Sequence, residues 1–511
     1  MASDSDDALK TVFTGGSVIF LGLIVELGVS FLAKLAIARV LGPVNYGVVS
    51  LGVTTMLIVS TLVLLGLNTG IGRYLPRDDE PEYRRGVLVS AFQIALPLAV
   101  LAGLGVYVFA PTIATDGFGD PSVTPVLRVF GLIVPLAAVV KLAVGGAQGL
   151  QRALPKVYIR NLVLPLTRFG AVLVALSLGF GSLGIAWAYA AAYAGAAAVG
   201  LYILFRRTPL FSREIDAVPM HRELLSFSVP LVISTTMTFV FSDIDTFMLG
   251  YFASTGDVGV YNTVYPLAQL LIVGMSSFGF IFMPVVSELH EHGDSENMRR
   301  IYQIATKWIF IATFPVFAVV ALFPTQTIQL TFGSEYVGGD LALVVLSVAF
   351  FTHAVAGPNL DALTSIGRTR IIMYDDTLVA IVNFVLNLVL IPRYSFFGAA
   401  FATAASYVLL NVLYTLQLYL ETGIHPFTST LARAGLIGSV IIAMLYGLAT
   451  SLFEMTVFVF VATISVFVLV YSFAIIRFAI EREEIMLVLS FEERYGVDLG
   501  PLKTLAQRVM A

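Results

Sequence analysis

The sequence contains no cysteine among its 511 residues, and only 12% of it is charged, against about 25% in an ordinary soluble domain. The missing cysteine excludes disulfides, thiolate nucleophiles and Cys-ligated metals. The shortage of charge, with 58% hydrophobic residues, excludes a soluble fold for most of the chain. Long polar stretches are missing too. Apolar runs recur from Val12 almost to Ile480 with only loop-length breaks, so no soluble domain of useful size fits between them. Any basic stripe is also lacking: the net charge is −4 and the Lys and Arg residues are scattered, which leaves nucleic acid without a docking surface.

What is present is a series of runs long enough to cross a bilayer, each of about 20 mainly apolar residues. They predict fourteen spans, near 12–40, 46–71, 87–111, 123–148, 157–178, 183–205, 226–252, 258–286, 300–323, 341–365, 371–391, 396–420, 428–450 and 455–479. The start "MASDSDDALK" is acidic and the run after it is too long for a signal core, so the first span is expected to be retained. Lys and Arg mark one set of loops: Arg73, Arg77, Arg84 and Arg85, then Arg152 and Lys156, Arg206 and Arg207, Arg299 and Arg300, Arg368 and Arg370. The alternate loops contain only Arg393. By the positive-inside rule both termini are expected in the cytoplasm of a multi-pass cell-membrane protein.

Three blocks repeat in order at nearly constant offset. "LGPVNYGVV" falls on "ASTGDVGVY" at a shift of 212, registering Gly47 with Gly259. "QRALPKVY" falls on "GRTRIIMY" at 216. "LGIAWAYAAAY" falls on "FGAAFATAASY" at 214. An internal duplication follows, spans 1–6 matching spans 7–12. Both halves start from the same membrane side, as in transporters built from parallel repeats, where the substrate path runs between the halves. The expected fold class is an all-α polytopic membrane protein of about fourteen helices, with two pseudo-symmetric six-helix lobes and two extra C-terminal helices. The expected divisions are an N-terminal lobe at 1–205, a cytoplasmic linker at 206–225, a C-terminal lobe at 226–422, extra spans at 423–480 and a cytoplasmic tail at 481–511. That tail reads as an amphipathic surface helix or a solvated end. The small residues of "AYAAAYAGAAA" in span 6 suit close helix packing.

With "ARVLGPVNYG" after span 1, "GIGRYLPR" after span 2 and "DID" in span 7, the sequence resembles the polysaccharide or oligosaccharide flippases of the multidrug/oligosaccharidyl-lipid/polysaccharide exporter superfamily. The resemblance implies a flippase that carries a lipid-linked oligosaccharide or polysaccharide precursor from the cytoplasmic to the outer leaflet by alternating access. It implies as partners a polyprenyl-linked phosphate or pyrophosphate glycan, the lipid bilayer and glycosyltransferases of the same pathway. Other members of the superfamily export drugs, so a cation-coupled small-molecule exporter is the alternative.

Ionisable residues inside spans mark candidate sites. Glu26, Ser30 and Lys34 lie at i, i+4 and i+8 of span 1 and share a face. Arg160 and Arg168 lie eight apart in span 5, and Arg168, near mid-span, would need to snorkel over about 15 Å of helix to leave the membrane. Arg168, Lys34, Arg160 and Arg39 are therefore the cations expected to bind an anionic group, with Arg offering a bidentate fork to phosphate. At Arg39, beside the turn expected from Gly42, Pro43 and Gly47, snorkelling and helix-dipole stabilisation compete with that role. Arg128 and Lys141, near opposite ends of span 4, read as snorkelling residues.

The second half reverses the sign: residues 1–216 carry 16 basic against 12 acidic residues, and residues 217–511 carry 13 against 21. Asp243, Asp245 and Asp361, together with Glu26, are candidates for cation coupling or cavity polarity. His353 in span 10 and Asn383 and Asn387 in span 11 join them, with helix-to-helix hydrogen bonding as their default use. Tyr261 and Tyr265 fit an interfacial belt. "DID" also matches the Asp-X-Asp of metal-dependent glycosyltransferases, but both carboxylates fall inside a span and no convergent acid, base or metal set accompanies them. No catalytic residue, metal or cofactor is therefore expected.

Overall fold

The computed structural model describes residues 2–150, 153–212 and 214–479; the side chains of 2–20, 153, 230–243 and 273–281 lie outside that description. The expected C-terminal tail, 481–511, lies outside the described residues. The described chain is all-α. Its first part holds α1 (Ala2–Val63), α2 (Leu67–Tyr74), α3 (Pro81–Thr112), α4 (Thr124–Gly149), α5 (Ala153–Lys156), α6 (Leu164–Ser177) and α7 (Ser182–Arg207). Then come α8 (His221–Phe252), α9 (Thr255–Glu291), α10 (Ser295–Leu322), α11 (Pro324–Thr331), α12 (Asp340–Ala356) and α13 (Asn359–Ser365). The last are α14 (Thr369–Thr422), α15 (Ser429–Leu452) and α16 (Val457–Phe478). Ten helical stretches among the described residues are long and apolar enough to cross a membrane. Two of these are double-length, broken at Gly42 and at Ser395, and α8 and α9 add two long helices; the set is consistent with fourteen crossings.

The breaks have chemical causes. Gly42 adopts φ 74°, ψ 174°, a region open to glycine and closed to side chains. Pro43 then opens the next helix, where its missing N–H removes nothing. The expected turn over Gly42, Pro43 and Gly47 is thus one residue long, and Gly47 is helical. Span 2, expected to be continuous, is interrupted at Leu65 and Gly66, both at positive φ, before α2 resumes. Span 10, expected as one helix over 341–365, stops at Gly357 (φ 73°) and continues as the short α13. The loop expected at 324–340 folds into α11 and a 3₁₀ segment, Ser334–Gly339.

The chain divides into two compact units. The first comprises residues up to Pro266 with Thr331–Gly339 and Asp376–Ala402; the second comprises Leu267–Leu330, Asp340–Asp375 and the chain from Thr403. Lipid offers no hydrophobic drive between helices, so close packing and hydrogen bonds must hold them. In the first unit α7 turns Ala188, Ala192, Ala196 and Gly200 inward, as its small-residue run predicts. A β-carbon on Gly200 would come within 2.7 Å of that of Ala143 in α4. In the second unit, α10, α15 and α16 share a core of Phe310, Phe314, Phe323, Ala434, Phe467 and Tyr471. The Lys307 ammonium, 2% exposed, donates to the Ala479 carbonyl at 3.0 Å and closes the end of α16. On the outside, Phe458 is 81% and Leu469 71% exposed, as expected for surfaces that face acyl chains.

A cationic candidate binding cavity

Within the first unit lies a cavity of about 580 Å³, lined by residues of α1, α2, α4, the stretch Val157–Val163, α6 and α7 with Asn262 of α9. Among the described residues four of its lining side chains are cations, Lys34, Lys141, Arg160 and Arg168, against one carboxylate, Glu26. Tyr46, Tyr189 and Tyr193 give it aromatic walls.

The backbone of span 5 explains how two arginines reach one wall. Eight residues of straight α-helix turn 80° past two full turns at about 100° per residue. The stretch Val157–Val163 is instead π-helical, and its wider turn absorbs roughly one extra residue. That brings Arg160 and Arg168 back into register. Arg168 is then held at two points: Nη2 donates to Ser30 Oγ at 2.6 Å and the guanidinium lies 5.4 Å from the Tyr189 ring centroid, while Nε is buried with no hydrogen-bond partner among the described residues. Glu26 faces Arg160 at 3.6 Å and accepts from Asn161 Nδ2 at 2.5 Å, so the carboxylate is occupied by span 5.

Lys141 corrects the snorkelling expectation. Its Nζ donates to Ser60 Oγ at 3.0 Å and Thr61 Oγ1 at 2.9 Å, on the last turn of α1 before the Leu65–Gly66 break, and it lines the cavity. Leu64, Gly66 and Asn68 line the same wall. Both the break and Lys141 were missed from sequence; "LLGLNTG", a glycine followed by Asn inside an apolar run, was the available signal.

The remaining candidates are dispersed. Arg39 is exposed and outside the cavity lining. The side chain of Asp243 lies outside the described residues. Asp245 is buried and accepts a short hydrogen bond from the Tyr261 hydroxyl. Tyr261 is therefore a buried partner of an acid, not part of an interfacial belt. Asn387 donates to Asn383 at 3.0 Å, both fully buried. In the second unit, His353 is buried edge-on to Tyr407 at 5.3 Å. Asp361 is half-buried in α13. Arg128 stacks on Tyr107 at 5.6 Å and Arg73 on Phe227 at 4.2 Å. No group of three or more His, Asp or Glu side chains able to hold a metal occurs among the described residues.

Helices of this length around a polar, cationic cavity define a multi-pass membrane transport protein. Residues 12–290, more than half of the chain, match the polysaccharide biosynthesis protein family, and the chain belongs to that family. Residues 230–390 also match the MatE family. The chain is 23% identical over 403 residues to the Haloferax volcanii protein named "Probable low-salt glycan biosynthesis flippase Agl15", covering 78% of this chain and 81% of that one. It is 24% identical over 338 residues to the succinoglycan biosynthesis transport protein ExoT of Rhizobium meliloti, covering 64% of each. Among solved structures the fold resembles the lipid II flippase MurJ in an inward closed conformation, with a TM-score of 0.70 at 12% identity over 90% of this chain and 97% of that one. An inward-facing MATE multidrug transporter gives 0.64 at 15% identity, over 80% and 98%. These similar proteins are flippases and transporters, not enzymes.

Proposed function

We propose that this protein is a flippase that moves a lipid-linked oligosaccharide or polysaccharide precursor from the cytoplasmic to the outer leaflet by alternating access between two six-helix lobes. One observation carries the reading: among the described residues, four cations against one carboxylate line a cavity between helices long enough to cross a membrane. Such a lining suits a phosphate or pyrophosphate linker. Arg168 supplies the contact. Its position is fixed by Ser30 and Tyr189, and its buried Nε leaves a donor for a phosphate oxygen. Lys34, Lys141 and Arg160 set the potential, and the glycan follows while a polyprenyl tail stays in lipid. Asp245, Asp361 and His353 are the candidates for coupling the cycle to a cation or proton gradient, and the buried Asn383–Asn387 pair for polarity within the bundle. Glycosyltransferases that build the glycan would supply the substrate from the cytoplasmic side.

The test is reconstitution into liposomes carrying a polyprenyl-linked glycan in the inner leaflet, with outer-leaflet appearance followed by an impermeant glycan-modifying reagent. Protein-dependent appearance is expected. Cation-driven drug efflux with no glycolipid movement would replace this reading with the small-molecule exporter.

A further inference from the structure

The two copies of the first repeated block touch each other, and the contact is reciprocal. In the first unit, a β-carbon on Gly47 would overlap the Thr255 carbonyl and come within 3.1 Å of the Gly259 amide nitrogen. One on Gly259 would overlap the Pro43 carbonyl. Gly47 corresponds to Gly259, and Pro43 to Thr255, at the same offset of 212. Each glycine therefore receives the carbonyl opposite its own partner's start, which is the self-complementary pattern of a twofold contact. Backbone meets backbone here because glycine has no side chain to hold the helices apart.

Other bonds converge on the same end. The Thr255 hydroxyl donates to Asp120 Oδ2 at 2.9 Å, and Phe118 packs edge-on against Phe247 at 5.4 Å. The Tyr336 hydroxyl donates to the Ala38 carbonyl at 2.8 Å, and Phe332 of the same segment packs on Phe31 at 5.9 Å. These contacts surround the first turn of the helix opened by Pro43. Three residues past Gly47, the cavity lining runs through Ser50, Val53 and Thr54.

We infer that Gly47 and Gly259 form a backbone seal between the two repeats, and that this seal must part for the cavity to open at that end. The inference rests on the alternating-access reading and adds the gate itself. It explains why both copies keep glycine in a register where alanine would fit an isolated helix better.

Because the chain has no cysteine, a disulfide can lock the seal without touching either glycine. A β-carbon on Gly256 would lie 3.6 Å from Val44 Cγ2, so the side chains at these two positions meet in van der Waals contact. The test variant is Val44→Cys with Gly256→Cys, with Val53→Cys added as a cavity reporter. Oxidation should cross-link the pair. In the locked protein, labelling of Val53→Cys by an impermeant maleimide from the Ser254 side should fall to background, and glycolipid movement in liposomes should stop. Reduction should restore both. Gly259→Val should do the reverse and raise labelling from that side. Failure of the pair to cross-link, transport by the locked protein, or unchanged labelling in Gly259→Val would each overturn the seal. If the unmodified protein moves no glycolipid, the flippase reading fails, while the labelling arms still decide the gate.

Discussion

Replacing Arg168 tests the proposed chemistry most directly. Arg168→Ala removes the 2.6 Å bond to Ser30, the stacking on Tyr189 and a buried Nε that has no partner among the described residues. A hydrogen bond to a charged group is worth about 1.5–3 kcal/mol. At about 1.4 kcal/mol per factor of ten, loss of one limiting phosphate contact should slow glycolipid movement roughly tenfold to a hundredfold. Arg168→Lys should recover only part of the rate, since an ammonium keeps the charge but lacks the planar fork.

Folding must be separated from transport. Ser30→Ala removes the side chain's anchor but leaves the guanidinium, so it should lower the rate less than Arg168→Ala does. The Tm of all three variants in detergent sets the comparison on folded protein. The assay is outer-leaflet appearance of a polyprenyl-linked glycan in liposomes. Arg168→Ala moving substrate at the unmodified rate, with Tm unchanged, would refute the phosphate contact. Full rescue by Arg168→Lys would refute the bidentate geometry while leaving the charge.

Lys307→Ala should lower stability by roughly 1.5–3 kcal/mol, because it removes a charged donor and leaves the Ala479 carbonyl at the end of α16 unsatisfied; a Tm drop with an unchanged rate per folded molecule is the expected result. Gly438→Val should destabilise by about 1–3 kcal/mol through overpacking, since a β-carbon there already comes within 2.5 Å of Phe314; denaturation in detergent checks it. Single cysteines at Ser122, Ser254 and Ser334 should react with an impermeant thiol reagent from outside the cell and those at Ser212 and Ser295 should not; outside labelling of Ser212 would reverse the proposed orientation. Burial opposes ionisation of Asp120, but hydrogen bonds from Ser122 and Thr255 prevail and hold its carboxyl below the usual carboxylate range. A depressed pKa stabilises the bonded state above the ordinary value, about 3.9, and that stability is lost only as pH falls through the lower one. Labelling of the Val53→Cys reporter, corrected for the fall in thiolate fraction with pH, should accordingly show no effect of this group between neutral pH and about 5.

Crossings were legible in the sequence because a bilayer demands uninterrupted apolar length, and hydropathy reads length well. Interruptions were not, because a change of φ at Leu65, Gly66 or Gly357 leaves hydropathy untouched. Lys141 was misread for a related reason. Depth along its own span suggested snorkelling, but its partners, Ser60 and Thr61, sit on another helix, and no local pattern announces them. Tyr261 likewise meets Asp245 across the α8–α9 hairpin, a pairing that depends on the turn between them. Arg168 was found because a cation at mid-span has no inexpensive alternative. Arg39, at a helix end, has several.

The balance of charge in the cavity also separates the two transport readings. Between like charges about 5 Å apart, with an effective dielectric near 20, repulsion is about 3 kcal/mol. An amphipathic cation entering beside Lys34, Lys141, Arg160 and Arg168 would meet that repulsion more than once. Glu26 would have to offset it, yet its oxygens already face Arg160 and Asn161. A phosphate or pyrophosphate reverses every one of these signs. The same four side chains that would reject a cationic drug would, on the proposed reading, supply the attraction that draws an anionic linker out of the headgroup layer. Of the acidic candidates in the later part of the chain, the described side chains of Asp245 and Asp361 are not among those lining the cavity. The described lining therefore carries an excess of positive charge, which favours an anionic ligand over a cationic one.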